Sequence, residues 1–436
     1  MVAGIAPETV MPPIQDHPLR YQLTNELHAR PFPAMSSPCT VVYLAVKQPS
    51  EAEHRDRMLD LVHLKDLLDR HGAPHPQPGA THHMAQIGRH MLKWEQHTEF
   101  VSYTAYSNGV SARAFDPADF EVFPADWLEQ APGQRVTSAM VRVLPRPEGE
   151  ALKPILQDWL VPESLAVSQV LSGSAVIGGD FRIDPAGHMR FAVFTSPGTG
   201  HNRIGRIVQR LCEIETYRAM AMLGFSRARG LTPTISALDT HLSEMMVEMT
   251  GGSVPAEQTL SQLLTVSAEL EAMAARSAFR FSATGAYDAL VNQRVSLLRE
   301  ERHKGFQTLE EFMLRRFEPA MRTVKSTEKR LEALANRARR AGELLRTRVD
   351  VERSAQNQAL LASMDRRADL ALRLQHTVEG LSVVAISYYA VSLAAYALYP
   401  LAAALDISKG TLTALITLPV VGLVWLGVRR IRKKLH

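Results

Sequence analysis

Two stretches late in the chain have no charged side chain: residues 381–405 and, after the tetrapeptide Asp406-Ile407-Ser408-Lys409, residues 410–428. A helix needs about 20 mostly apolar residues to cross the hydrocarbon of a bilayer. The first run is ample and the second is just sufficient. In hydrocarbon the backbone must satisfy its own N–H and C=O groups, so two runs joined this closely predict a helical hairpin. Charge-free lengths of this kind are rare in soluble cores. The chain therefore reads as membrane-anchored, with most of its mass outside the bilayer.

Charge predicts the orientation. Arg366, Arg367 and Arg373 precede the first run, and Arg429, Arg430, Arg432, Lys433 and Lys434 follow the second. Short flanks rich in Lys and Arg stay cytoplasmic. An even number of spans puts both flanks on one side, so both termini are expected in the cytoplasm. The Asp406–Lys409 turn is then expected in the periplasm of a Gram-negative host. Tyr399 and Trp425 fall near span ends, where amphipathic rings favour the interface.

The other 380 or so residues behave as a soluble chain; mean hydropathy over the whole is -0.10. The formal net charge is +4, and much of that excess lies beside the spans, where anionic lipid attracts it. No recognisable nucleic-acid motif carries a basic patch, so no nucleic-acid partner is expected. The two cysteines, Cys39 and Cys212, give neither a disulfide framework nor a zinc spacing and suit a reducing cytosol. Residues 1–14 lack a basic region followed by an apolar stretch, so a signal peptide is not expected.

The fold class predicted is α+β, in four parts: a proline-rich extended arm (1–35), a mixed α/β cytoplasmic domain (36–200), a helical, coiled-coil region (201–376), and the membrane hairpin with its basic tail (377–436). Strands are expected at 39–46, 89–94, 99–106, 134–144, 164–170, 174–183 and 189–195, with a hairpin turn at Asp184-Pro185-Ala186-Gly187-His188. Helices are expected at 51–70 and from Asp116-Pro117 toward Glu129. Beyond His201 everything reads as helix: 204–223 ending near Gly224, 233–249 ending at Gly251-Gly252, 256–276, 287–303, and a last one over 318–375. If unbroken, the last is on the order of 85 Å long. Leu331, Leu334, Ala338, Ala341 and Leu345 keep a 3,4 spacing. Arg348 and Glu352 break it, and Leu361, Met364, Ala368 and Ala371 resume it. Short broken heptads predict antiparallel packing or a loose coiled coil.

Four groups of residues are candidate sites. Six histidines (His71, His75, His82, His83, His90, His97) cluster, but without a metal-binding spacing or a companion cysteine. His97 stands between Glu95 and Glu99 and can exchange a proton there, although alternation along a hairpin favours a solvated or ion-paired surface. Gly198, Gly200, Arg203 and Arg206 form a possible anion loop where a strand gives way to a helix. It has the GxxxxG spacing of a phosphate loop without its Lys and Ser/Thr, and Asn202 as a helix cap accounts for most of it. In the first span Ser382, Ala385, Tyr389, Ser392, Tyr396 and Tyr399 make a polar-aromatic stripe, which packs helices more often than it lines a pore. No carboxylate lies inside either span, as a proton-coupled carrier would require. No cofactor and no metal site are expected.

Five stretches resemble an uncharacterised bacterial family of membrane-anchored proteins (domain of unknown function 3422): NELHARPFP (25–33), KWEQHTEF (93–100), Gly178-Gly179-Asp180 with Arg182, EIETYR (213–218) and TVEGLSVVAISYY (377–389). The resemblance implies membrane anchorage and brings no activity or catalytic residue. The order of parts also looks like that of the CorA-type magnesium channels. Those carry a Gly-Met-Asn triplet at the end of the first span, where this chain has Tyr399-Pro400-Leu401. The function expected is a non-enzymatic protein of the bacterial inner membrane, whose cytoplasmic domain binds a partner or organises an assembly. Its expected partners are the lipid bilayer, further copies of itself and a cytoplasmic protein. The alternatives are an oligomeric CorA-like cation channel and a membrane-tethered enzyme using His97.

Overall fold

Cys39–Lys47 (β1) is apolar at nearly every position, and the reason is a sheet covered on both faces. Val42, Leu44 and Val46 join a core with Leu64, Leu67 and Leu68 on one side. On the other, the Tyr43 hydroxyl lies 2.7 Å from Thr216 Oγ1. The structure is a computed structural model and describes residues 14–21, 24, 32–49, 55–251, 254–405 and 408–435. Most of the expected extended arm, including residues 25–31 of NELHARPFP, lies outside the described residues, as do Asp406, Ile407 and His436.

The remaining strands are β2 (His82–Ile87), β3 (His90–Gln96), β4 (Val101–Asn108), β5 (Gln134–Pro145), β6 (Ala166–Val170), β7 (Ala175–Gly179), β8 (Met189–Thr195) and β9 (Glu301–Arg302). They form one sheet in the order β2-β3-β4-β1-β5-β8-β7-β6-β9. Only β5 and β8 pair in parallel; every other neighbour is antiparallel. The crossover between that pair carries a helix, Leu152–Trp159 (α3), and the β6–β7 hairpin. The α+β class is as the sequence predicts. Two strands escape the sequence reading: β2, hidden in the histidine cluster, and the two-residue β9.

One face of the sheet is covered by Arg57–Arg70 (α1), Ala125–Glu129 (α2) and α3. Asp56 caps α1 by accepting from the Met58 N–H at 2.9 Å. Burying each of the leucines on its inner face is worth about 1.5–3 kcal/mol. The opposite face takes His201–Gly251 (α4) and Ala256–Leu298 (α5).

Both helices run through the breaks the sequence suggests. At Gly224 a Cβ would overlap Thr284 Oγ1 on α5, so this glycine brings two helices together instead of ending one. Pro233 sits inside α4 on an exposed face. There the carbonyl that loses its N–H partner can reach water. Leu309–Arg316 (α6) opens on a capping box between Thr308 and Glu311. Glu318–Ala404 (α7) is one helix that carries the expected 318–375 segment straight on into the first apolar run.

By contacts the chain forms two units, Met1–Val247 with Leu263–Arg339, and Glu248–Gln262 with Arg340–His436. In the first, Leu331, Leu334 and Ala338 of α7 are buried, and Asp239 of α4 holds Arg330 at 3.0 Å and Arg337 at 2.5 Å. In the second, Arg348 donates to the Met249 carbonyl at 2.7 Å and Arg353 pairs with Glu257 at 2.6 Å. The resumed heptad behaves differently from the first: Leu361 and Met364 are about 60% exposed. The second unit ends with Lys409–Leu435 (α8). The apolar parts of α7 and α8 are each long and apolar enough to cross a membrane, and only 6% of each apolar window is buried within the protein.

Burial lowers the proton affinity of His63, His83, His90, His188 and His303 below the ordinary 6.5. The unfolded chain then takes the proton first as pH falls. Their contribution is intact above about pH 6.5 and is lost as pH drops toward their folded values. The buried carboxyls of Asp60 and Glu300 are pushed up and act in the opposite sense. We expect the melting temperature of the full chain in mild detergent to fall between pH 7 and 5.5, and to fall less in His63→Phe. An equal slope in the two proteins would contradict the neutral, buried state of His63.

Candidate functional site

Lys93 and Glu95 are two residues apart on β3 and so point to one face, the face that receives α4. Lys93 Nζ lies 3.1 Å from Glu95 Oε1 and donates to Gln209 Oε1 at 2.8 Å. Gln209 Nε2 donates to Glu213 Oε1 at 2.7 Å, one helical turn along α4. Arg294 of α5 donates to the other oxygen of Glu213. In the turn after β3, Glu99 is buried and pairs with Arg280 of α5. Tyr287 also bonds Glu99; burial first, then the Glu99 charge, pushes its phenol up. Glu215 accepts from Thr137 Oγ1 at 3.0 Å and from Arg218 Nη2 at 2.8 Å. Thr216 lies between Tyr43 OH and the Cys212 carbonyl, 2.8 Å away. Its single proton goes to the carbonyl, and the hydroxyl accepts from the phenol.

Each of four carboxylates, Glu95, Glu99, Glu213 and Glu215, therefore has its own cation: Lys93, Arg280, Arg294 and Arg218. The network is neutral as a whole. It joins the sheet to both long helices at the place where KWEQHTEF, EIETYR and the Phe32-Pro33 end of NELHARPFP meet. An enclosed cavity of about 20 Å³ beside Tyr43, Ser102 and Thr216 has room for about one water. A more open cleft of about 270 Å³ is lined by Phe32, Glu95, His97, Arg210, Tyr217 and Arg294.

The structure corrects the picture of a hairpin surface at Glu95, His97 and Glu99. Both carboxylates are buried, because partners more than a hundred residues away cover them. His97 is half-buried, stacks on Phe100 at 4.2 Å, and places Nε2 3.4 Å from Ser102 Oγ. Burial pushes the Cys39 thiol up to about 12 and the Cys212 thiol higher still, so neither is a ready nucleophile.

The other predicted residues separate. Gly198 adopts φ +81. Arg203 Nη1 turns back to Ser174 Oγ at 3.0 Å, while the Arg206 guanidinium lies 5.4 Å over the Phe32 ring. The cap is the Gly200 carbonyl, which accepts from the Arg203 and Ile204 N–H groups, and Asn202 is already inside α4. Among the histidines, His75 bonds Asp69 at 2.7 Å and His83 bonds the Pro74 carbonyl at 2.8 Å. Among the described residues no group of three or more His, Cys, Asp or Glu is placed to hold a metal ion.

Gly178 and Gly179 admit Leu156 and Phe191 against β7, and buried Asp180 ties the Val161 and Arg182 N–H groups to Arg190. That motif fastens the β5–β8 crossover. Between the apolar parts of α7 and α8, Ser392 and Tyr396 line a groove of about 900 Å³ with Ser387, Tyr399, Thr413 and Thr417. Ser382 bonds its own helix at Val378, and neither it nor Tyr389 is among the residues that line the groove.

A comparison with curated proteins gives no match. The likeness to CorA-type channels rests on the order of parts alone. Residues 15–435 match the model of the family described as Protein of unknown function (DUF3422), and with nearly the whole chain covered the protein belongs to that family.

Proposed function

We propose that this is a non-enzymatic, membrane-anchored binding and assembly protein of a bacterial inner membrane, with its α+β domain and both termini in the cytoplasm. The observation that carries the anchorage is the pair of C-terminal helices whose apolar side chains have almost no cover within the protein. Exposed Leu, Val and Tyr side chains on that scale are stable in lipid and costly in water. Arginines before the first span and after the second support the orientation. A binding role is supported by the charge-balanced network, which joins sheet and helices, and by the small cavity within it. Assembly with further copies is supported by Leu360, Leu361 and Met364 standing exposed on one helical stretch.

Alkaline carbonate extraction tests the anchorage. Full-length protein is expected in the membrane pellet, and recovery in the wash would overturn it. A reporter fused after His436 is expected to be active only in its cytoplasmic form; a periplasmic signal would reverse the topology.

A further inference from the structure

The neutral network has a charged neighbour in the same unit. Lys47 and Arg135 at the ends of β1 and β5, Arg227 of α4, and Arg276 and Arg280 of α5 line one cleft of about 950 Å³. None of the described lining residues is Asp or Glu. Among the described residues Arg135, Arg227 and Arg276 form no ion pair; Arg227 Nε donates to Ser277 Oγ at 3.3 Å. Arg280 gives one nitrogen to Glu99, and its buried Nη1 has no acceptor. Arg276 and Arg280 are one turn apart on one helix face. In the cleft wall, Gly230 leaves open space where a side chain would stand.

Gathering Arg135, Arg227 and Arg276 on one concave surface, beside Lys47 and the Glu99-paired Arg280, raises the local potential and sets like charges against one another, and a bound anion relieves both. Guanidinium groups favour phosphate because their planar fork makes two parallel hydrogen bonds to it. We propose that this cleft binds a ligand with clustered phosphate groups, either a soluble diphosphate-type molecule or a phospholipid headgroup, held by Arg135, Arg227 and Arg276. The proposal rests on the reading of this domain as a binding module and is independent of membrane anchorage.

Calorimetry on the full chain in neutral mild detergent tests it, with inorganic pyrophosphate and a short-chain diphosphatidylglycerol, whose headgroup carries two phosphates, as separate probes. At least one probe is expected to bind and to weaken as salt rises. Arg227→Gln with Arg276→Gln is expected to cost tenfold or more in affinity at an unchanged melting temperature. Arg276→Lys, which keeps the charge and loses the fork, should fall between. Arg330→Gln, whose side chain pairs with Asp239 elsewhere, should bind as the parent does. Pyrophosphate binding alone assigns a soluble ligand, and lipid binding alone assigns a headgroup. No binding of either probe, binding unaffected by the double substitution, or binding of an oligonucleotide only would overturn the proposal. None of these outcomes bears on carbonate extraction.

Discussion

Asp60→Ala should destabilise the α+β domain by about 3–5 kcal/mol, the range for removing one partner of a buried ion pair. The Arg55 and Asp60 side chains are each only 1% exposed. Asp60 also accepts from Gln96 at 3.2 Å and Gln48 at 3.3 Å, and Arg55 reaches the His97 carbonyl at 2.5 Å. Alanine at 60 would leave a guanidinium in the core without its counter-ion, while the Gln48 and Gln96 amides would each lose one acceptor and keep the Asp56 and Arg57 carbonyls, at 2.7 and 3.0 Å. Burial pushes the Asp60 carboxyl up and the Arg55 guanidinium down, each against the attraction of the other. Desolvation therefore outweighs pairing, and the pair as a unit adds little stability. The double substitution Arg55→Met with Asp60→Leu should cost far less than the two single changes together. Urea unfolding of the four proteins in detergent closes this cycle. A loss below 1 kcal/mol for Asp60→Ala, or simple additivity, would count against the pair as described.

Trp127→Ala should cost about 3–5 kcal/mol from lost packing, with a further loss from hydrogen bonds. Trp127 is fully buried and stacks on His63 with ring centroids 3.8 Å apart. Its indole N–H donates to the His63 carbonyl at 2.9 Å, and His63 Nε2 meets the Trp127 carbonyl at 2.9 Å. Nδ1 of the same imidazole lies 3.0 Å from Tyr103 OH on β4. The residue thus joins α1, the short α2 and the sheet. Trp127→Phe keeps a stacked ring but loses the indole bond and part of the buried ring volume, so it should lose less than Ala, roughly 1–3 kcal/mol. Equal losses for Ala and Phe would mean that packing is not what Trp127 provides.

What the sequence made legible follows from the range of the forces involved. The apolar run of β1, the hairpin turn at Asp184–His188 and the two charge-free runs are local patterns, and the structure has a strand, a turn and helices there. Gly224 misled because a glycine that ends a helix and one that admits a neighbouring helix look alike until Thr284 is placed beside it. His82–Ile87 misled because its polar residues occupy an edge strand, where one side meets solvent. The acid-base cluster was visible in KWEQHTEF, but its burial was not. Gln209, Arg280 and Arg294 come from helices more than a hundred residues later. The basic cleft had no signal at all, since its arginines are scattered over three separate parts of the chain.

The two-residue strand β9 has a bearing on how the molecule is made. Gln169 of β6 and Glu301 of β9 are neighbours although 132 positions separate them. Ribosomes add about 5–20 residues per second, so the last seam of the sheet stays open for on the order of ten seconds after β6 emerges. Through that interval the nascent chain shows an unsealed β-edge, and a chaperone that shields it would act while α4 and α5 are still being translated.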